Sequence, residues 1–463
     1  MVALAAHDFD RALRYSLFEG AAWAGMVGLA ETYFLATAVY LGGGPLALGL
    51  TVALPLAVGA TGPLTTLSLL RRFEARSVYC VRAVSLQILT LLVMSMLLMA
   101  DRLTVPLLIG GICLYQMSGQ AAGTAWSSWY GDLVPADMRG RWFARRNRVV
   151  YVSTCAGLVA GGLILHSIEP GGVSGDGSRI GLAILFALAA GSRTVSVSFL
   201  ARSPEPRFRG LPRPKQVLQF VRTERGDQAI RVLALGALFH FTVYWSAPYF
   251  APFMLEELQF TYAQYMGAAL CVIVFKALLT SSWGRLVDRR GAKRVFLVTM
   301  TCVALVPVPW IFAQGLGFVL VAQAVSGSTW SGFEVSYFSL LLETSTRKTR
   351  PFVFAAQSVS NGFFQLAGVL VASRLIFPRV EDYRDVFAIS VAGRVAVTLL
   401  APTLLMGIRR GPAAVWSRLG LRPLGLRWNG GFSMRPVLTA EPGPDGLPSA
   451  PDPDRTEDPA RPR

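Results

Sequence analysis

The chain has 463 residues, 53% of them hydrophobic and 15% charged, with a formal net charge of +17. Soluble domains carry about 25% charged residues, and a large soluble α/β protein is excluded by run length, since Val84–Ala100 and Phe296–Ala313 hold no charge at all. The basic residues lie between apolar runs, so anionic lipid headgroups are the expected partner; no recognition module for nucleic acid accompanies the charge.

Twelve helical spans are predicted, at about 16–41, 45–70, 77–100, 103–130, 143–167, 180–200, 230–255, 262–283, 292–313, 315–342, 351–377 and 385–408. A helix rises ~1.5 Å per residue, so each run can cross a ~30 Å hydrocarbon core. The connecting loops alternate in charge. One set is basic: Arg71, Arg72 and Arg76; Arg139, Arg141, Arg145, Arg146 and Arg148; residues 201–229; residues 284–294; and Arg347, Lys348 and Arg350. The other set, around Gly42–Gly44, 101–104, 168–179, 256–261 and 314–317, is nearly free of Lys and Arg, and the loop at Arg379 and Arg384 is a mild exception. The positive-inside rule puts the basic set in the cytoplasm, and an even number of spans then puts both termini there. The expected location is a bacterial cytoplasmic (inner) membrane. The N-terminal segment does not read as a cleavable signal, because a short polar lead runs into a long span containing Glu19 and Glu31.

Two segments are not expected in the membrane. Residues 201–229 include "RSPEPRFRGLPRPK" and read as a cytoplasmic linker with a short amphipathic helix near Val217–Val221. Residues 411–463 end in "EPGPDGLPSAPDPDRTEDPARPR", a composition that builds no core and predicts a disordered tail. Before it, Trp416, Leu419 and Leu421 with Arg418 and Arg422 suit the bilayer surface. The chain thus divides into an N-terminal six-helix half (1–200), the linker (201–229), a C-terminal six-helix half (230–410) and the tail (411–463).

The halves repeat one another weakly. "GTAWSSW" at 123–129 in span 4 matches "GSTWSGF" at 327–333 in span 10. "AGSR" ends at Arg193 in span 6, and "VAGR" ends at Arg394 in span 12. "LLRRFEAR" after span 2 stands where "VDRRGAKR" stands after span 8. Two such halves around a basic linker suggest alternating access to a midplane site.

The pattern G-x-x-x-D-R-x-G-x-[RK]-[RK], read here at Gly284, Asp288, Arg289, Gly291, Lys293 and Arg294, resembles the signature loop of the major facilitator superfamily. The resemblance covers about residues 15–408. It implies an all-α integral membrane fold of twelve transmembrane helices in two pseudo-symmetric six-helix halves. In that superfamily the loop follows span 2 and often recurs, weakened, after span 8. Here the better copy follows span 8. The first-half copy has Leu70 opposite Asp288 and Phe73 opposite Gly291, so the chain reads as a divergent, bacterial-type member. "WSSWYGDLVPADMRGRWFARRN" at 126–147 also looks like a segment of bacterial members. Independently of the family, Gly284 lets two helices approach, Gly291 permits a tight turn, and Asp288 can accept hydrogen bonds from arginines or a helix N-terminus. The resemblance makes this loop a gate latch between the halves. A bare topology signal would need neither Asp288 nor the glycines.

A charge in the hydrocarbon core costs at least ~2.5–3.5 kcal/mol, so each needs a reason. Glu31, near the middle of span 1, reads either as a proton carrier or as a hydrogen-bonded tie between helices. Glu19 lies nearer the cytoplasmic end and suits a structural or gate role. Lys276 in span 8 and Glu334 in span 10 sit at similar depth, and the resemblance puts both spans on the cavity. They can bind a charged substrate group, switch with protonation, or stand as a static buried pair; an unpaired Lys276 would favour an anionic substrate. Arg193 and Arg394, in spans that are peripheral in the superfamily, read as structural. His240, Tyr244, Trp245 and Tyr249 in span 7, Trp126, Ser127 and Trp129 in span 4, and Trp330 in span 10 are candidates for a substrate path. Pro248 and Pro252 should weaken the outer end of span 7 into a hinge. Gly157 and Gly161 form a small-x-x-x-small seam. It faintly resembles the span-5 motif of proton-driven drug antiporters, but the motif's proline is missing, and no Lys or Arg occurs between Thr104 and Asp132.

Catalytic signatures such as H-E-x-x-H, G-x-S-x-G and G-x-x-x-x-G-K-[ST] do not occur, so an enzyme or ATP-driven pump is not expected, nor a cofactor or metal. Cys80, Cys113, Cys155, Cys271 and Cys302 read as packing residues. The expectation is a secondary active transporter that moves a small solute by alternating access, with protons as coupling ion and Glu31, Lys276 and Glu334 at its centre. The alternative is a non-transporting sensor or scaffold of the same fold, which need not keep ionisable residues in the membrane.

Overall fold

The computed structural model describes residues 6–73, 75–134, 139–170, 175–205, 224–345, 350–380, 382–408, 424–425 and 433–434. Without water in the bilayer core, every backbone polar group must be satisfied within its own segment. The long apolar runs meet that demand as helices. They are Ala6–Ala30 with Tyr33–Tyr40, Pro45–Gly59 with Gly62–Leu69, Arg76–Met99, Val105–Leu133, Arg139–Ile168 and Asp176–Arg202 in the first half of the chain. Glu224–Val243 with Phe250–Pro252, Tyr262–Arg290, Ala292–Ala304 with Val308–Ile311, Leu316–Glu343, Arg350–Val371 and Tyr383–Leu404 follow. These are spans 1 to 12, where the sequence predicts them. Among the described residues nine helices are long and apolar enough to cross a membrane. The two longest exceptions are spans 4 and 10, which carry the repeated Trp-Ser segments.

Local chemistry sets the ends. Span 8 begins with a capping box: Gln264 donates its backbone N–H to the Thr261 hydroxyl at 3.3 Å, and Thr261 donates its own to Gln264 Oε1 at 2.9 Å. It stops at Gly291, whose φ of 85° lies in the left-handed region and lets the chain turn directly into span 9. Four spans are interrupted. Span 1 breaks at Glu31–Thr32, span 2 at Ala60–Thr61, span 7 at Tyr244–Ser246 ahead of Pro248, and span 9 at Leu305–Pro307. Span 7 resumes through a π-helical turn at Phe253–Glu257.

Small residues draw spans 1 and 5 together. A Cβ on Gly157 would lie 2.6 Å from the Gly25 carbonyl oxygen, and one on Gly161 would lie 2.7 Å from the Tyr33 ring. Tyr33 then donates its hydroxyl to the Leu158 carbonyl at 2.8 Å, so the predicted glycine seam joins two spans of the same half. The first six spans meet the last six where span 2 packs on span 11, span 5 on span 8, and the broken ends of spans 1 and 2 on that of span 7. Gly49 faces Tyr249 and Val369, Gly162 faces Met266, and Gly362 faces Leu56 and Ala57. Tyr265 of span 8 donates to the Thr32 carbonyl at the break of span 1, at 3.1 Å. Apart from Gly362, near mid-span, these contacts lie toward the end of the bundle whose loops are poor in Lys and Arg.

Two arginines assigned to the basic loops are instead buried. Arg76, with no exposed surface, reaches Asp132 at 2.5 Å and Glu205 at 2.9 Å. Glu205 also accepts the backbone N–H groups of Arg76 and Ser77, capping span 3. Arg146 is 4% exposed and pairs with Glu19. Both arginines sit at the ends of apolar runs, but acids on neighbouring spans draw them inward. The amphipathic helix at Val217–Val221 and the surface segment at Trp416–Arg422 lie outside the described residues. Within the segment predicted to be disordered, Leu424–Gly425 pairs antiparallel with Ser433–Met434.

Candidate functional site

Span 10 crosses span 8 closely because Gly327 has no side chain. A Cβ there would sit 2.5 Å from the Val272 carbonyl oxygen. One turn further along span 8 and two turns further along span 10, Lys276 and Glu334 face each other. Lys276 Nζ donates to Glu334 Oε1 at 2.9 Å, and the residues are 1% and 8% exposed. Glu334 Oε2 is buried and has no hydrogen-bond partner among the described residues. Tyr151 of span 5 lies within electrostatic reach of Glu334.

Span 7 supplies the opposite wall. His240 is buried, with Nδ1 2.7 Å from the Gly236 carbonyl oxygen; the carbonyl can only accept, so Nδ1 carries the proton and Nε2 keeps its lone pair. The imidazole lies 6.3 Å from the Trp330 ring, 5.9 Å from Phe333 and 6.4 Å from Tyr337. The Tyr337 hydroxyl packs directly on Gly236, is buried, and has no hydrogen-bond partner among the described residues. Lys276 and Glu334 pair between spans 8 and 10, and His240 of span 7 packs beside Trp330 of span 10, so the four form a buried polar and aromatic cluster. Phe333 and Tyr337 belong to it and were not singled out in the sequence. The signal was there: Trp330, Glu334 and Tyr337 are four and three residues apart on one helix face.

Other candidates lie elsewhere. Trp126 stacks on Tyr130 at 4.6 Å and under the Arg146 guanidinium at 4.2 Å, inside the cluster that ends the first half. Trp129 is fully buried there and donates to the Pro204 carbonyl. Tyr244 is buried against Gly368 of span 11, and Trp245 lies against Gly393 of span 12, away from this cluster. Tyr249 packs edge-on against Phe377, ring centroids 4.5 Å apart, at the end where the two sets of spans touch. Glu31 is half-buried at the break of span 1 and accepts the Tyr115 hydroxyl at 3.0 Å. This tie to span 4 leaves both readings of Glu31 standing.

The remaining buried charges are strongly held. Glu19 accepts from Arg146 at 2.8 Å and from the Ser196 hydroxyl at 3.3 Å, and lies 3.7 Å from Arg193, whose Nε donates to Gln87 at 3.0 Å. Arg394 is bonded to helix ends. It donates to the Val243 and Val303 carbonyls, at the breaks of spans 7 and 9, at 3.2 and 3.1 Å. Ser246 and Ser390 take its other bonds, at 2.7 and 3.1 Å. At the breaks these carbonyls keep only long turn bonds, from the Ser246 N–H to Val243 at 3.3 Å and from the Val306 N–H to Val303 at 3.2 Å, and a guanidinium fork can serve both carbonyls at once. Arg193 and Arg394 thus sit where a tie between helices is needed.

In the signature loop, Gly284 is buried and Lys293 Nζ donates to the Leu405 carbonyl at 2.6 Å, capping the end of span 12. Arg289 and Arg294 are exposed. Asp288 is half-buried, and no hydrogen bond to it occurs among the described residues.

Comparison with known proteins agrees with this architecture. The sequence model of the Major Facilitator Superfamily matches residues 232–437. No curated protein matches the chain. Among solved structures, a mutant of the nucleoside transporter NupG aligns over 86% of this chain and 99% of its own, at 12% identity and a TM-score of 0.65. A bacterial homologue of the human lysosomal transporter Spinster, inward-facing and unoccupied, aligns over 89% and 100%, at 13% identity and 0.62. The E. coli xylose transporter XylE, partially occluded and inward open, aligns over 86% and 98%, at 14% and 0.61. At such identities the likeness is one of fold. Twelve helical spans, a signature-like loop between spans 8 and 9, and the match over residues 232–437 lead to one conclusion: the chain is an integral membrane protein whose second half is similar to the Major Facilitator Superfamily.

Proposed function

We propose that the protein is a secondary transporter that moves a small solute across the cytoplasmic membrane by alternating access. The moving bodies are the six-span halves 1–200 and 230–410, joined by the linker 201–229, with the tail 411–463 and both termini in the cytoplasm. One observation carries this reading. The contacts between the two sets of spans gather toward the end with few basic loops, while ionisable and aromatic side chains are buried at mid-depth behind them. By the positive-inside rule the path then opens to the cytoplasm. Glu31, at a helix break and half-buried, is the group suited to carry a coupling proton, and Lys276 and Glu334 sit where the solute would bind. The loop from Gly284 to Arg294, through Asp288, is the latch that forms when the cytoplasmic end closes.

The test is proton flux in proteoliposomes with an internal pH dye, as sugars, nucleosides, amino acids, organic acids and lipophilic cations are added in turn. We expect one class to drive a flux in the wild type that Glu31→Gln abolishes. Uptake of labelled solute without proton movement would make Glu31 a structural tie. No flux and no uptake of any class would favour a sensor or scaffold.

A further inference from the structure

We propose that the buried polar cluster between spans 7 and 10 opens to bind an uncharged, hydroxyl-bearing solute of the sugar or nucleoside class, with Glu334 and Tyr337 as its hydrogen-bonding residues. This rests on the transporter reading and adds a substrate class to it.

The first argument is hydrogen-bond inventory. Buried polar atoms in a membrane interior are almost always paired, and exceptions call for a reason. Here two exceptions stand on one face of span 10, three residues apart: Glu334 Oε2 and the Tyr337 hydroxyl. The first accepts; the second donates and accepts. Across from them, His240 has spent its N–H on Gly236 and offers only an acceptor. A solute that satisfies this set must bring hydroxyl donors and also accept from a phenol. Hydroxyl groups do both.

The second argument is charge. Lys276 already serves Glu334 at 2.9 Å, and Arg394, the other buried cation among the described residues of this half, is engaged by two carbonyls and two hydroxyls. A charged solute would have to split the Lys276–Glu334 pair and strand one member. Stranding a member of a buried pair lowers affinity by about two to three orders of magnitude. An uncharged solute uses the free oxygen and leaves the pair intact. The rest of the wall, formed by the Trp330 ring, suits the apolar face of a sugar or nucleoside ring. Both polar atoms are shielded in this conformation, so the solute reaches them as spans 7 and 10 shift.

The experiment is thermal stabilisation of the purified full-length protein in detergent. The uncharged probes are D-glucose, D-xylose, uridine and adenosine; the charged ones are succinate, L-glutamate and tetraethylammonium. We expect at least one uncharged probe to raise the melting temperature. Tyr337→Phe should weaken that probe by about tenfold, the worth of one good hydrogen bond. Without solute the variant should be as stable as the wild type or more so, because it loses only a hydroxyl that has no partner. Stabilisation by charged probes alone, by none of the seven, or by an uncharged probe equally in Tyr337→Phe overturns the assignment. A response to charged probes alone removes the substrate class and leaves the transporter reading standing, which the flux assay decides separately.

Discussion

Replacing Lys276 by Met isolates the energetics of the central pair. In the wild type the two groups meet at 2.9 Å with side-chain exposures of 2% and 9%. Removing the amine leaves a buried carboxylate with neither oxygen bonded, because Oε2 has no partner to begin with. Breaking a buried pair on one side costs about 3–5 kcal/mol. Glu334→Leu strands the amine and should cost a similar amount. The double variant, Lys276→Met with Glu334→Leu, removes both charges and fills the space with apolar atoms, which is neutral or stabilising by about 1–4 kcal/mol. The cycle should therefore show a coupling of several kcal/mol, against about 0–1 kcal/mol for an exposed pair. Thermal and denaturant unfolding of the four proteins in one detergent gives the number. If Lys276→Met alone lies within about 1 kcal/mol of the wild type, water reaches the pair and the reasoning from burial fails. Solute uptake by the double variant at wild-type rate would make the pair a static tie.

Two further perturbations probe the scaffold. Arg394→Met should destabilise by about 2–4 kcal/mol in the same unfolding assay, since four hydrogen bonds of a charged fork are lost while the guanidinium's desolvation is relieved; Lys should recover only part of this. An unchanged melting temperature would refute the staple. Tyr265→Phe removes the bond from span 8 to the Thr32 carbonyl, worth about 0.5–1.5 kcal/mol. The population open at that end should rise about two- to tenfold, read as spin-label distances between the outer ends of spans 1 and 8. Unchanged distances would show that the bond does not hold this end closed.

Much of the architecture was legible because a membrane imposes length and freedom from charge on every crossing. The twelve predicted spans match the helices for that reason. The pairing of Lys276 with Glu334 was legible from depth, since each lies about a dozen residues before its basic loop. Arg76 and Arg146 were misplaced because a linear pattern shows how near a residue is to the end of a run and not which acids face it. Asp132, Glu19 and Glu205 belong to other spans or to the linker's start, and only packing brings them in. The break at Glu31–Thr32 carries no proline to announce it, unlike those in spans 7 and 9. Trp126 and Trp330 occupy matching places in the repeat, yet one stacks under Arg146 and the other packs beside His240. Sequence symmetry does not specify which partners the neighbouring spans present. Tyr337 escaped notice because a tyrosine among aromatics on an apolar helix has no distinguishing pattern until its hydroxyl is found unpaired.

The position of Arg394 bears on how the protein is made. Its ligands are carbonyls in spans 7 and 9 and a serine in each of spans 7 and 12, so its charge is satisfied only when three segments have come together. As span 12 leaves the ribosome, it carries an arginine near its middle that would cost ~2.5–3.5 kcal/mol alone in lipid. The last helix thus has a thermodynamic reason to enter the bilayer against a bundle already assembled. Integration of the final span becomes a checkpoint on the folding of the two spans that receive its arginine.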